Sequence, residues 1–208
     1  MKEWKGNKKS VSTMLGMTTT WHPEQRAAGD YYTTDPAAVD VFIRHLHCKG
    51  LLTDSIFTPI WEPACGCGNI SKVFESHGYD VISTDLHDRG FGTSGIDFLE
   101  TSSLPENCYT IITNPPYSLA NEFILHAMNI LPNYGTYIAL MNISYLTGIN
   151  RFNDIYRYGY LRTVYVYSHR INCYKNNIPT GHSSPVNYAW FEFTPCFTSI
   201  PTIEWINK

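Results

Sequence analysis

The chain has 208 residues, a formal net charge of −3, and 43% hydrophobic and 14% aromatic residues. Such a length bounds it to one domain with at most a small appendage, and the apolar content suffices for a core. The charge excludes a dedicated basic nucleic-acid binder, no apolar run is long enough for a membrane span, and the N-terminus lacks an apolar signal core. An intracellular protein is expected, cytoplasmic or, in a eukaryote, nuclear, with no membrane partner.

Residues 1–28, rich in Lys, Thr, Met and Gly, read as a flexible N-terminal arm, and residues 29–208 as a single domain. Pro36 suits the first turn of a helix with Asp35 as N-cap; the helix runs to about Lys49, and Gly50 ends it. Ile56 to Trp61 reads as the first central strand, leading into Glu62-Pro63-Ala64-Cys65-Gly66-Cys67-Gly68-Asn69 and a helix over Ile70 to Ser76. A second strand, Tyr79 to Thr84, ends at Asp85; residues 86–95 form a glycine-containing loop, and Ile96 to Leu99 a short apolar turn. Strand Tyr109 to Thr113, helix Asn121 to Leu131, strand Thr136 to Met141, helix Ile149 to Tyr158 and strand Leu161 to Tyr167 follow. His169 to Asn187 is a polar loop, long for a compact domain. Tyr188 to Phe193 is a strand, and the tail Ile200 to Ile206 adds an edge strand. The pattern predicts an α/β fold whose mostly parallel sheet carries an antiparallel strand near the C-terminus.

Ligands in such sheets bind beyond the carboxyl ends of the strands. Glu62 to Gly68, Asp85 and Asn114 to Tyr117 all follow strand ends, so they should share one crevice. In Asn114-Pro115-Pro116-Tyr117, two prolines cannot extend the preceding strand and push the chain into a stiff loop. The Asn114 amide oxygen and the Pro115 carbonyl can accept both hydrogens of an amino group, and the Tyr117 ring can stack on a flat base. The tetrapeptide alone reads equally well as a Pro-Pro turn capped by Asn. Gly66-x-Gly68 between strand and helix, with Asp85 about twenty residues on, has the layout of a nucleoside-binding turn. Ser71 replaces the third glycine of a dinucleotide fingerprint and no P-loop lysine is present, so a nucleoside without phosphate fits better. Glu62 reads either as a cofactor contact or as a cap of the turn. The six cysteines lack zinc-site spacing, and no metal is expected. Tyr165 and Tyr167 read as sheet packing, and the scattered histidines as surface or packing groups.

In that order, these motifs resemble the class I S-adenosylmethionine-dependent amino-methyltransferases, chiefly the DNA adenine-N6 type. The resemblance implies the Rossmann-like, seven-stranded class I methyltransferase fold and a single catalytic domain over 29–208. It makes Glu62, Ala64, Gly66 and Gly68 the cofactor loop, Asp85 with Leu86 the ribose contact, and Asp97 and Phe98 the segment beside the cofactor adenine. Asn114, Pro115, Pro116 and Tyr117 match the catalytic motif, with Asn114 also touching the cofactor. Tyr32 and Thr34 belong to a segment that closes over the methionine end, although Thr34-Asp35-Pro36 departs from the commoner Thr-Pro. More closely, Tyr32 to Pro36, Arg170 to Cys173 and Tyr188 to Phe191 resemble small stand-alone methyltransferases of phages and mobile elements. The implied cofactor is S-adenosyl-L-methionine and the implied partner is duplex DNA with a flipped adenine; the polar loop itself offers Arg170, Asn172, Lys175 and His182 as candidate DNA contacts, its Lys and Arg reading as phosphate contacts.

Two rivals stay open. The same motif serves methylation of cytosine N4, an RNA base or a protein glutamine amide; the acidic net charge modestly favours protein, while the lysines of the N-terminal arm and the resemblance favour nucleic acid. A non-enzyme reading makes the chain the cofactor-binding partner subunit of a methyltransferase assembly. A homodimer is the other assembly considered.

Overall fold

The computed structural model describes residues 31–50, 59–175, 177–178 and 186–207. The first element among the described residues is a short strand, β1 (Tyr32–Thr34), followed by α1 (Pro36–Cys48). Asp35 caps α1 by accepting from Ala37 N at 3.0 Å, and Pro36 occupies the first turn, as its sequence dictates. Then come β2 (Ile60–Glu62), α2 (Ser71–Ser76), β3 (Val81–Asp85), β4 (Thr93–Ser94) and β5 (Thr110–Thr113). α3 (Ala120–Ile130), β6 (Thr136–Asn142), α4 (Ile149–Asp154) and β7 (Leu161–Tyr167) follow. The chain closes with β8 (Cys173–Lys175), β9 (Tyr188–Phe193) and β10 (Thr202–Ile206).

Eight strands form the main sheet in the order β10-β7-β9-β6-β5-β2-β3-β4. All pairings are parallel except those of β9, which runs antiparallel between β6 and β7. Strands stand at all seven expected places, the first as Ile60–Glu62 with positions 56–58 of its expected range outside the described residues; the eighth is the two-residue β4, too short to signal itself in the glycine-containing loop. The helix expected over 149–158 stops at Asp154 and continues as a 3-10 turn over Tyr156–Tyr158. A larger departure lies in the polar loop: Cys173–Lys175 forms β8, which pairs antiparallel with β1 as a separate two-stranded ribbon.

Strand alternation sorts the core onto two faces. Ile60, Ile112, Ile138, Leu140, Tyr165 and Trp190 point towards α1 and α2. Their neighbours Trp61, Ile111, Tyr137, Ala139 and Phe191 point towards α3. Each fully buried large side chain contributes roughly 1.5–3 kcal/mol. Tyr165 and Tyr167 are packing residues: their hydroxyls donate to Glu192 Oε2 and the Ala38 carbonyl, both at 2.8 Å.

The strand order turns between β2 and β5: β3 and β4 lie to one side, β6 and its neighbours to the other. The loops after β2 and β5 therefore diverge and open a crevice at their carboxyl ends. Among the described residues no helix is long and apolar enough to cross a membrane.

Candidate active site

A cavity of about 400 Å³ occupies that crevice. Tyr32, Thr34, Glu62, Ala64, Gly66 and Asp85 line it, together with Leu86, Asp97, Phe98, Asn114 and Pro116. Gly68, Pro115 and Tyr117 are not part of that lining.

The turn after β2 is shaped by its glycines. Gly66 has φ +56, and a Cβ there would come within 2.8 Å of the Tyr31 ring. Gly68 has φ +80, and a Cβ would come within 2.5 Å of the Phe91 ring. Gly68 thus serves the packing of the loop that follows β3, while Gly66 lets the chain close over the cavity. Glu62 is buried, and its Oε2 accepts from the backbone N of Ser71 at 2.9 Å and from the Ser71 hydroxyl. It therefore caps α2 as well as lining the cavity. Burial raises its carboxyl to about 8, with the Ser71 bonds opposing that rise. The departure from glycine at Ser71 now has a reason: the hydroxyl holds this buried carboxyl.

Asp85 ends β3 and ties two loops together. Its Oδ2 accepts from Gly66 N and its Oδ1 from His87 N, each at 2.8 Å. A carboxylate has about four acceptor sites, so capacity is left for a ligand's hydroxyl groups. Asp97 Oδ1 caps the short 3-10 turn over Phe98–Glu100 by accepting from Leu99 N at 2.9 Å. Phe98 is wedged among Trp61, Phe123 and His126, with ring centroids 4.8–5.3 Å away.

Asn114 is the polar centre of the loop after β5. Its Nδ2 donates to the Tyr32 carbonyl at 2.9 Å and to Thr34 Oγ1 at 3.2 Å. Both amide hydrogens are therefore spent on the covering segment. Its Oδ1 is buried and has no hydrogen-bond partner among the described residues. An unsatisfied buried acceptor costs roughly 1–3 kcal/mol. The Tyr117 ring has two aromatic neighbours, Tyr32 with centroids 5.6 Å apart and Tyr188 at 6.1 Å. Burial, with Cys173 and Tyr188 close by, pushes the Tyr117 hydroxyl far above its usual range, so it stays a neutral phenol. The Tyr117 carbonyl accepts from the Tyr145 hydroxyl at 2.8 Å, which fixes the loop from the β6 side.

Of the residues read as nucleic-acid contacts, Arg170 is exposed beyond β7, Asn172 accepts through its carbonyl from Asp35 N at 3.2 Å, and Lys175 ends β8 opposite Tyr32. His182 and the arm over 1–28 lie outside the described residues. Sequence reasoning missed Tyr31 and Arg89, whose guanidinium lies 3.8 Å from the Tyr31 ring centroid beside the cavity. Neither carries a motif. It also missed Asn69, whose Nδ2 donates to the Thr34 carbonyl at 2.9 Å. Among the described residues no group of three or more His, Cys, Asp or Glu could hold a metal ion.

Neither a protein-family model nor a curated protein matches the chain. Solved structures do. A type I restriction-modification system methyltransferase subunit from Streptococcus thermophilus aligns with a TM-score of 0.60 at 12% identity, over 95% of this chain and 51% of that one. A putative class I S-adenosylmethionine-dependent methyltransferase from Listeria monocytogenes gives 0.56 at 13%, over 96% and 71%. A putative RNA methyltransferase from Pyrococcus horikoshii gives 0.55 at 13%, over 91% and 98%. This chain thus spans about half of the restriction-modification subunit. Strand order, cavity position and these neighbours together give the chain the Rossmann-like class I methyltransferase fold.

Proposed function

We propose that the protein is an S-adenosylmethionine-dependent methyltransferase that methylates the N6 amine of adenine in DNA. The observation that carries this reading is Asn114, a side-chain amide held at the cavity wall with both hydrogens engaged and its buried oxygen unpartnered. An amine donor would relieve that oxygen.

The residues present fit the cofactor. Gly66 lets the Tyr31 ring pack against the turn at the cavity, Asp85 retains acceptor capacity for ribose hydroxyls, and Asp97 with Phe98 form the wall for the adenine ring. Tyr32, Thr34, Ala64, Glu62 and Leu86 complete the lining at the methionine end and the mouth. Bound S-adenosylmethionine supplies an electrophilic methyl group on a positively charged sulfur. The chain's own work is on the acceptor. Hydrogen bonds from the target amine to Asn114 Oδ1 and to the Pro115 carbonyl draw its lone pair out of conjugation with the ring. Asn114 cannot retain a proton, so the proton leaves to water, and catalysis is positioning and electrostatics. Tyr117 stacks on the base, which must be flipped out of a duplex and must part Tyr117 from an aromatic neighbour. Arg170 and Lys175, with Asn172 between them, supply phosphate contacts that position the strand without reading its sequence.

The Streptococcus neighbour, named as the methyltransferase of a restriction-modification system, supports DNA. The Pyrococcus neighbour, matched over nearly its full length and named as a putative RNA methyltransferase, favours RNA as the second reading. Labelled cofactor incubated with unmodified duplex DNA, RNA and protein separates them: label in DNA is expected, and label confined to RNA or protein rejects the DNA reading. Binding to the duplex should also weaken steeply with salt, as phosphate contacts do.

A further inference from the structure

The segment covering the cavity pairs as a strand with the polar stretch after β7 and with no strand of the main sheet among the described residues. β1 pairs with β8 in the register Tyr32↔Lys175, Thr33↔Tyr174 and Thr34↔Cys173. Asp35 N donates to the Asn172 carbonyl at 3.2 Å, and the Tyr174 hydroxyl donates to Asp35 Oδ2 at 3.1 Å. Two residues beyond β8 stands Asn177, in the left-handed region with φ 58. Its Oδ1 accepts from Thr33 Oγ1 at 2.9 Å and from Asn69 Nδ2 at 3.4 Å. Asn69 Nδ2 in turn donates to the Thr34 carbonyl at 2.9 Å. Thr33, Thr34 and Asn69 all line the cavity. One side chain, itself outside the cavity, therefore joins the polar stretch to both the covering segment and the glycine turn.

We infer that Asn177 is a positioning residue that makes occupancy of the cofactor cavity and order in the β8 stretch mutually dependent. The inference rests on the cofactor reading of the cavity given above. A ligand that fixes Thr33, Thr34 and Asn69 fixes both donors to Asn177 Oδ1, and so stiffens the strand that carries Tyr174 and Lys175. By reciprocity, a substrate that engages that strand tightens the hold on the cofactor. The acceptor surface is then assembled only once the cofactor is in place, which favours cofactor before substrate. The ribbon has no strand partner beyond β1 and β8 among the described residues, and the β1–β8 pairing and a 3.4 Å contact from Thr33 Oγ1 to the Tyr174 carbonyl act beside this link.

The test uses the full chain and S-adenosylhomocysteine, with hydrogen exchange read at the amides of Cys173–Lys175. Three proteins are compared: wild type, Asn177→Gly and Asn177→Asp. Glycine adopts the positive φ without strain while removing the side chain, and aspartate retains the acceptor oxygen. The ligand should slow exchange in β8 by about fivefold or more in wild type, within the usual span of coupling factors. Asn177→Asp should keep that protection, and Asn177→Gly should lose it while still binding the ligand. Equal protection in Asn177→Gly, or none in wild type despite measured binding, overturns the inference and leaves the cofactor reading intact. Absence of binding to wild type would reject both.

Discussion

The two walls of the cavity are built by different means. One wall is the ends of β2, β3 and β5, strands that are each hydrogen-bonded on both sides within the main sheet. Its loops are then locked locally: Glu62 on Ser71, Asp85 on Gly66 and His87, Tyr145 on the Tyr117 carbonyl. The other wall is β1, one strand of a two-stranded ribbon standing apart from that sheet. Two-stranded pairs are marginal on their own. In the function proposed above, the difference separates tasks: the sheet side would set the geometry of transfer, and the ribbon side would cover the cavity. Asn114 is where they meet, rooted in β5 and donating to β1.

Three substitutions press on that division. The largest effect belongs to Asn114→Ala, which removes the unpartnered acceptor. Methyl transfer in single-turnover assays should fall about 10²–10³-fold, the scale of losing a preorganised polar group. Cofactor affinity should fall only a few-fold, through loosening of β1. Equal losses in both would mean that the residue is a ribbon anchor and not part of the chemistry.

Asp85→Ala comes next. It strands two backbone N–H groups, Gly66 and His87, and deletes the proposed ribose contact. Calorimetric titration should show cofactor affinity reduced about tenfold or more, and thermal unfolding a loss of roughly 1–3 kcal/mol. An unchanged affinity would remove Asp85 from the cofactor site.

Glu62→Gln is the mildest. Burial holds this carboxyl up to about 8 against an ordinary 4.5, so the folded chain keeps a proton that the unfolded chain loses. Its contribution to stability is greatest below the unfolded value and declines as pH rises through that window. Melting temperatures measured from about pH 5 to pH 8 should slope downward in wild type and flatten in Glu62→Gln. A slope that survives the substitution would assign it to another group.

The sheet side of the site was legible because its residues are tied to local rules. A strand that ends in Gly66-x-Gly68, or in Pro115-Pro116, has few backbone options, and Asp35-Pro36 dictates a helix start. Helices α1 and α3 stood out by apolar spacing, and all seven longer strands of the sheet were found. The ribbon was not legible. β1 (Tyr-Thr-Thr) and β8 (Cys-Tyr-Lys) are short and carry no aliphatic run to mark them, and they pair across about 140 residues of sequence. Tyr174, Asn177 and Asn69 act through contacts that only the folded chain brings together. The role of Ser71 was hidden for the same reason: its partner, Glu62, lies across the turn.

The most direct test of the account is nucleoside mass spectrometry of unmodified duplex DNA after incubation with cofactor and either wild type or Asn114→Ala. N6-methyladenine is expected from wild type and almost none from Asn114→Ala. No methylated base from a wild-type protein that binds the cofactor, or equal yields from the two proteins, would contradict it.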